Sequence, residues 1–171
     1  MGLLIQGVTM YEYNCKVVKI VDGDTVDVDI DLGFGVQLTD ERVRIMGIDT
    51  PESRTSDKVE KVFGLAAKHR LQSLMGEKCV LKTQINKDGE DMKGKFGRIL
   101  GDFDVYDAEK DAWRPATDVL IETGNAVAYF GGSKEEVQAK HMVNRDKLLR
   151  EGFVTQEQMD EAVAIMEKAD K

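Results

Sequence analysis

Apolar and polar positions change their period several times along the chain, and each change marks an element. Tyr11–Val21 is rich in β-prone residues and partly alternating, with Cys15, Val17, Val18 and Ile20 apolar, and it stops at Asp22-Gly23-Asp24, a hairpin turn signal. In Thr25–Ile30 the alternation is strict: Val26, Val28 and Ile30 fall on one face, Asp27, Asp29 and Asp31 on the other. Gly33-Phe34-Gly35 interrupts the pattern, and Val36–Ile48 resumes it, so a three-stranded meander is expected, ending at Asp49. Lys58–Met75 then places Val59, Phe63, Ala66, Ala67, Leu71 and Leu74 at helical spacing, closed by Gly76. A fourth strand over Lys78–Ile85 runs into Asn86-Lys87-Asp88-Gly89, and a fifth, Ile99–Phe103, follows Gly97-Arg98.

Beyond the strands the pattern turns helical. Ala116–Glu122 ends at Gly124, Ser133-Lys134-Glu135-Glu136 is a capping box for a helix to about residue 150, and Thr155-Gln156-Glu157-Gln158 opens a last one to about residue 168. Five strands with a helix between the third and fourth predict an α+β chain with a mainly β core. The expected form is a five-stranded OB-type Greek-key barrel with C-terminal helices. The last helix carries Met159, Ala162, Val163 and Met166 on one face, a stripe that fits packing against the domain or the binding of a partner.

Composition narrows the class. A chain of 171 residues with 42% hydrophobic and 33% charged residues reads as one globular domain with no membrane span. The first ten residues lack the basic leader and cleavage site of a signal peptide, so they are expected to form a flexible extension and the protein to be intracellular and monomeric. Cys15 and Cys79 sit in strand-like stretches, with no metal-ligand pair beside them, and read as buried free thiols. The net charge of −8 excludes a broad basic face coating nucleic acid, yet leaves room for a local phosphate site, especially one with a bound divalent cation.

Candidate chemistry concentrates in Arg44-Ile45-Met46-Gly47-Ile48-Asp49-Thr50-Pro51-Glu52, an apolar strand with a guanidinium at one end and two carboxylates at the other. Pro51 forces a turn, which gathers Asp49, the Thr50 carbonyl and Glu52 into a set of hard oxygens suited to calcium or magnesium. An EF-hand over Asp27–Leu38 is rejected, because glycine falls at Gly33 and Leu38 occupies the place of the closing glutamate. Plainer readings exist for each residue: Asp22 and Asp24 can simply build a turn, and Arg44 can pair with Asp49 alone.

Val21-Asp22-Gly23-Asp24-Thr25, Arg44 five residues before Asp49-Thr50-Pro51-Glu52, Gly97-Arg98, and Gly124-x-Ala126-x-Ala128-Tyr129 together resemble the staphylococcal (micrococcal) nuclease, or thermonuclease, family. The resemblance runs from about residue 15 to residue 152. It implies a nuclease-like domain over residues 11–152, with a helical tail over 153–171, that hydrolyses phosphodiesters of DNA or RNA with calcium and leaves 3′-phosphate and 5′-hydroxyl ends. Carried over by position, Asp24, Asp49 and the Thr50 carbonyl would hold calcium, with Asp22 behind them. Glu52 would act as general base or orient the attacking water, and Arg44 and Arg98 would grip the phosphate. Tyr129, Phe96 and Lys95 would contact substrate, although Tyr129 also fits plain core packing.

Two positions depart from the family pattern: Gly131 stands where a second tyrosine is common, and Phe96 replaces the tyrosine before Gly97. Phe96 can stack on a base but offers no phenol hydrogen bond. Lys82, Lys87, Lys93 and Lys95 are diluted by Asp88, Glu90 and Asp91, so salt-sensitive affinity for long polymers is expected. The other expectation is a non-catalytic oligonucleotide-binding or scaffold module that keeps the fold without the reaction.

Overall fold

The computed structural model describes residues 10–84, 93 and 97–169. Its elements are β1 (Met10–Asp22), β2 (Thr25–Gly33), β3 (Val36–Ile45), β4 (Ile48–Asp49), α1 (Lys58–Leu74), β5 (Lys78–Gln84), β6 (Ile99–Asp107), β7 (Ala112–Pro115), α2 (Ala116–Glu122), β8 (Val127–Ala128), α3 (Lys134–Arg150) and α4 (Gln156–Ala169). The class is α+β with a mainly β core. β1, β2 and β3 form the antiparallel meander that the alternation predicts. β1 also pairs with β5, β5 with β6, and β6 returns to β3 in a parallel ladder, while β7 hangs on the outer edge of β6.

The core follows from the alternation: Val26, Val28, Val43, Ile45, Leu81 and Phe103 are buried between the strands and α1, which contributes Leu71. The face opposite Val26, Val28 and Ile30 is not wholly wet as the pattern suggests. Asp27 is buried, because Arg42, its cross-strand neighbour, forks onto it with bonds of 2.8 and 3.1 Å. A paired carboxylate can be covered where an unpaired one cannot.

Two strands differ from the pattern. The expected third strand is broken at Met46–Gly47, where Gly47 has φ +81°, and its last two residues form β4, which pairs with β8. An unbroken apolar run hides that turn, since Ile45 and Ile48 are both buried. The fifth strand continues to Asp107, with residues 99, 101, 103, 105 and 107 turned inward, and hairpins into β7. Asp107 Oδ1 accepts the backbone N–H groups of Glu109 and Lys110 and so builds that hairpin turn.

The helix starts are as expected. Asp57 caps α1 at Val59 and Glu60, Ser133 caps α3 at Glu136, and Thr155 and Gln158 cap each other reciprocally at α4. α4 lies along α1, with Ala162 buried, Met159 and Met166 half-buried and Val163 exposed, so the stripe is used in part for packing. Among the described residues no helix is long and apolar enough to cross a membrane.

Candidate active site

Two acidic turns press on one helix. The first, between β1 and β2, carries Asp22 and Asp24 around Gly23, with Asp22 Oδ1 accepting the Gly23 N–H at 3.0 Å and Asp24 Oδ1 accepting the Thr25 hydroxyl at 2.8 Å. A β-carbon at Gly23 would lie 2.8 Å from Ala67 Cβ of α1 and 3.2 Å from the Thr50 side chain. Only a residue without a side chain lets the turn sit this low. The second turn follows β4: Thr50, Pro51 and Ser53 are buried and Glu52 is exposed. Here the helix supplies the space, because a β-carbon at Gly64 would lie 2.3 Å from the Glu52 carbonyl oxygen and 2.6 Å from the Ser53 nitrogen. Glycine inside a helix costs about 1 kcal/mol against alanine, and at this contact it allows backbone to rest on backbone.

The charges of the two turns meet. Burial pushes the Glu52 carboxyl above its ordinary range, and the negative charges of Asp22, Asp24 and Asp49 push it in the same direction. Arg44 answers part of this charge: its Nη2 lies 3.3 Å from Asp24 Oδ2 and donates to the Ile48 carbonyl at 2.9 Å, while Nη1 donates to the Ile45 carbonyl. One guanidinium therefore ties Asp24 to the β3–β4 turn. Asp49 has a different partner, His141 of α3, whose Nε2 lies 2.7 Å from Asp49 Oδ2. An ionised carboxylate only accepts, so the imidazole carries its proton on Nε2. The His141 ring is buried and holds Asp49 in one orientation.

Other expected residues lie apart from the turns. The β3–β6 ladder pairs Val43 with Ile99 and Arg44 with Leu100, and Arg98 precedes its first pair. It lines a neighbouring cleft of about 440 Å³ with Asp27, Asp40, Glu41 and Arg42. Tyr129 donates its backbone N–H to the Gly47 carbonyl at 2.9 Å and opens, half-exposed, onto a groove of about 800 Å³ with Phe130, Met46 and Asp102. Phe96 and Lys95 lie outside the described residues. His141 and Gly64 are the residues that sequence reasoning misses. The only signals were one of two histidines in the chain and a glycine in mid-helix.

Among the described residues no three His, Cys, Asp or Glu side chains converge as a ready-made metal cage. The donor set of Asp24, Asp49 and the Thr50 carbonyl asks for only two side chains, all hard oxygen. The negative charge crowded around Glu52 is a condition that a divalent cation would relieve.

The family model described as staphylococcal nuclease homologue matches residues 42–162, well over half of the chain, and the chain belongs to that family. Similar curated proteins are an uncharacterized protein of Methanocaldococcus jannaschii, 32% identical over 108 residues, covering 54% of this chain and 48% of that protein. Another is protein ParB of Escherichia coli, 31% identical over 99 residues, covering 58% of this chain and 46% of that protein. The chain spans about half the length of these relatives.

Proposed function

We propose that the chain is a calcium-assisted phosphodiesterase acting on DNA, RNA or both, leaving 3′-phosphate and 5′-hydroxyl ends. The ring of pairings from β3 through β2, β1, β5 and β6 back to β3 is read as the OB-type Greek-key barrel that carries it. The observation behind this reading is Glu52, at the surface of the corner, whose carboxyl is raised by partial burial and by Asp22, Asp24 and Asp49, beside a largely buried arginine. A carboxyl with a raised pKa is a better proton acceptor when ionised, which suits it to take the proton of an attacking water. Arg44 is fixed by two carbonyls and Asp24, so its remaining N–H donors meet a phosphate without reorganisation. Arg98, just ahead of β6 and lining a cleft with Arg42, supplies the second guanidinium toward the leaving oxygen. Asp24, Asp49 and the Thr50 carbonyl would hold calcium, which when bound supplies positive charge for the phosphate oxygens and acidifies water. Tyr129, with Phe96 and Lys95, contacts the base or a neighbouring phosphate.

The test is digestion of single- and double-stranded oligonucleotides with calcium, with chelator, and with Glu52→Gln, resolved for end groups. Calcium-dependent products ending in 3′-phosphate, lost with chelator or in the variant, are expected. Tight oligonucleotide binding with no cleavage under any of these conditions would instead identify the non-catalytic binding module.

A further inference from the structure

Cys15 of β1 and Cys79 of β5 stand directly opposite one another in an antiparallel ladder, and both thiols are free. Directly opposed residues in such a ladder have Cα atoms about 4.5–5.5 Å apart, inside the window of about 4.4–6.8 Å that a disulfide spans. The two side chains are therefore cross-strand neighbours. The neighbouring Cys79 side chain draws the Cys15 thiol below the ordinary range, while the Cys15 side chain and burial push Cys79 up, so Cys15 is the readier of the two to ionise. The Cys15 S–H donates to the Tyr13 carbonyl at 3.7 Å, a weak bond that ionisation of the thiol gives up. The pair is buried but not sealed: both cysteines line a pocket of about 430 Å³, together with Lys16, Lys78, Asp29 and Gln37. The phosphodiester chemistry uses neither sulfur.

We propose that Cys15 and Cys79 form a peroxide-oxidisable dithiol site that closes to an intramolecular disulfide between β1 and β5. The Cys15 thiolate attacks one oxygen of hydrogen peroxide, the O–O bond breaks, and hydroxide leaves and is protonated to water, which gives a sulfenic acid on Cys15. Cys79 Sγ then attacks the Cys15 sulfur. The S–O bond breaks, and the departing hydroxide takes the Cys79 proton as a second water. Two thiols are oxidised and one peroxide is reduced to two waters. The product staples β1 to β5 seven residues before the turn that bears Asp22 and Asp24, with no change of register.

The experiment treats the full chain with hydrogen peroxide, then alkylates it with iodoacetamide under denaturing conditions and maps peptides without reductant. A joined pair of peptides containing Cys15 and Cys79, a mass lower by two hydrogens, and a thermal midpoint that rises and reverts with dithiothreitol are expected. In Cys79→Ser the reaction should stop at a sulfenic acid on Cys15, captured by dimedone. Both cysteines recovered singly alkylated, separate sulfinic acids, or an intermolecular dimer would overturn the proposal. Should Cys79→Ser fail to fold, the map of the unmodified chain decides alone.

Discussion

Two clusters of acids on this molecule are built from the same residue types and reach opposite electrostatic states. On the β6–β7–α2 side, Arg114 bonds Asp107 at 2.9 Å and forks onto Glu122, and Lys110 reaches Glu122 at 3.1 Å. These cations hold the Glu122 carboxyl down at about 2 and keep Asp107 below its ordinary range. At the two turns on α1, Asp22, Asp24, Asp49 and Glu52 face Arg44 and His141, and Glu52 is pushed up. The first cluster is a brace whose charges are matched within the chain. The second carries more negative charge than its own cations offset, the kind of imbalance that clusters at functional sites.

The sharpest way to break that contrast is to remove one charge from each cluster. Glu52→Gln is expected to lower phosphodiester turnover about 10²–10⁴-fold, the range for losing a general base, with the fold intact by circular dichroism. Arg114→Met should leave turnover unchanged and lower the thermal midpoint, because it strands Asp107 and Glu122 without their shared cation. Equal activity losses in the two variants would erase the distinction. Gly64→Ala comes next: its new β-carbon falls on the Glu52–Ser53 peptide, an overpacking cost of about 1–3 kcal/mol in urea unfolding. Because the corner must move, turnover should fall with it, whereas alanine at Gly33, where a β-carbon meets nothing within 4 Å, should spare activity.

The acids of both turns are legible in the sequence because they are misplaced there: Pro51 stops an apolar strand among residues that a buried strand has no use for. The meander, α1 and the caps at Ser133 and Thr155 are legible for a similar reason, since period and capping chemistry are local. What holds the turns together is not. His141 meets Asp49 across 92 positions of sequence, and Gly64 looks like a mere weakness of α1 until the Glu52 backbone lies on it. Gly47 carries the signal for the break before β4, but the apolar run around it reads as one strand. The outer strand β7 is only four residues long and mixed in polarity, too short for a period to register. Arg98 is placed by a parallel register, which no local pattern encodes.

A finer probe of the acidic turns is the histidine that orients Asp49. Partners behind a metal ligand are worth about 10–100-fold in metal affinity, so His141→Leu is expected to raise the calcium concentration for half-maximal cleavage by at least tenfold. His141→Gln places an amide N–H near the position of Nε2 and should recover most of that loss. If the two variants behave alike, the imidazole is filling space rather than aiming Asp49.

The smallest effect separates the clusters by the sign of their response to acid. Glu122 has a folded-state value of about 2, below its ordinary 4.5, so its ionised form stabilises the fold above pH 4.5 and that contribution is lost as pH falls toward 2. Glu52 is shifted the other way. Its ionised form disfavours the fold at neutral pH, and the penalty disappears as pH drops below its raised value. Thermal midpoints recorded from pH 7 down to pH 3 should therefore fall less steeply in Glu122→Gln than in the unmodified chain, the two curves converging in acid. Glu52→Gln should start above the unmodified chain at neutral pH without added metal and lose that advantage as the solution is acidified. Calcium should shrink the neutral-pH gap of Glu52→Gln, since the ion offsets the same repulsion, and leave the Glu122→Gln curve where it was. A Glu52→Gln curve parallel to that of the unmodified chain at all pH values would mean that Asp22, Asp24 and Asp49 do not act on Glu52, and the two clusters would then differ in composition alone.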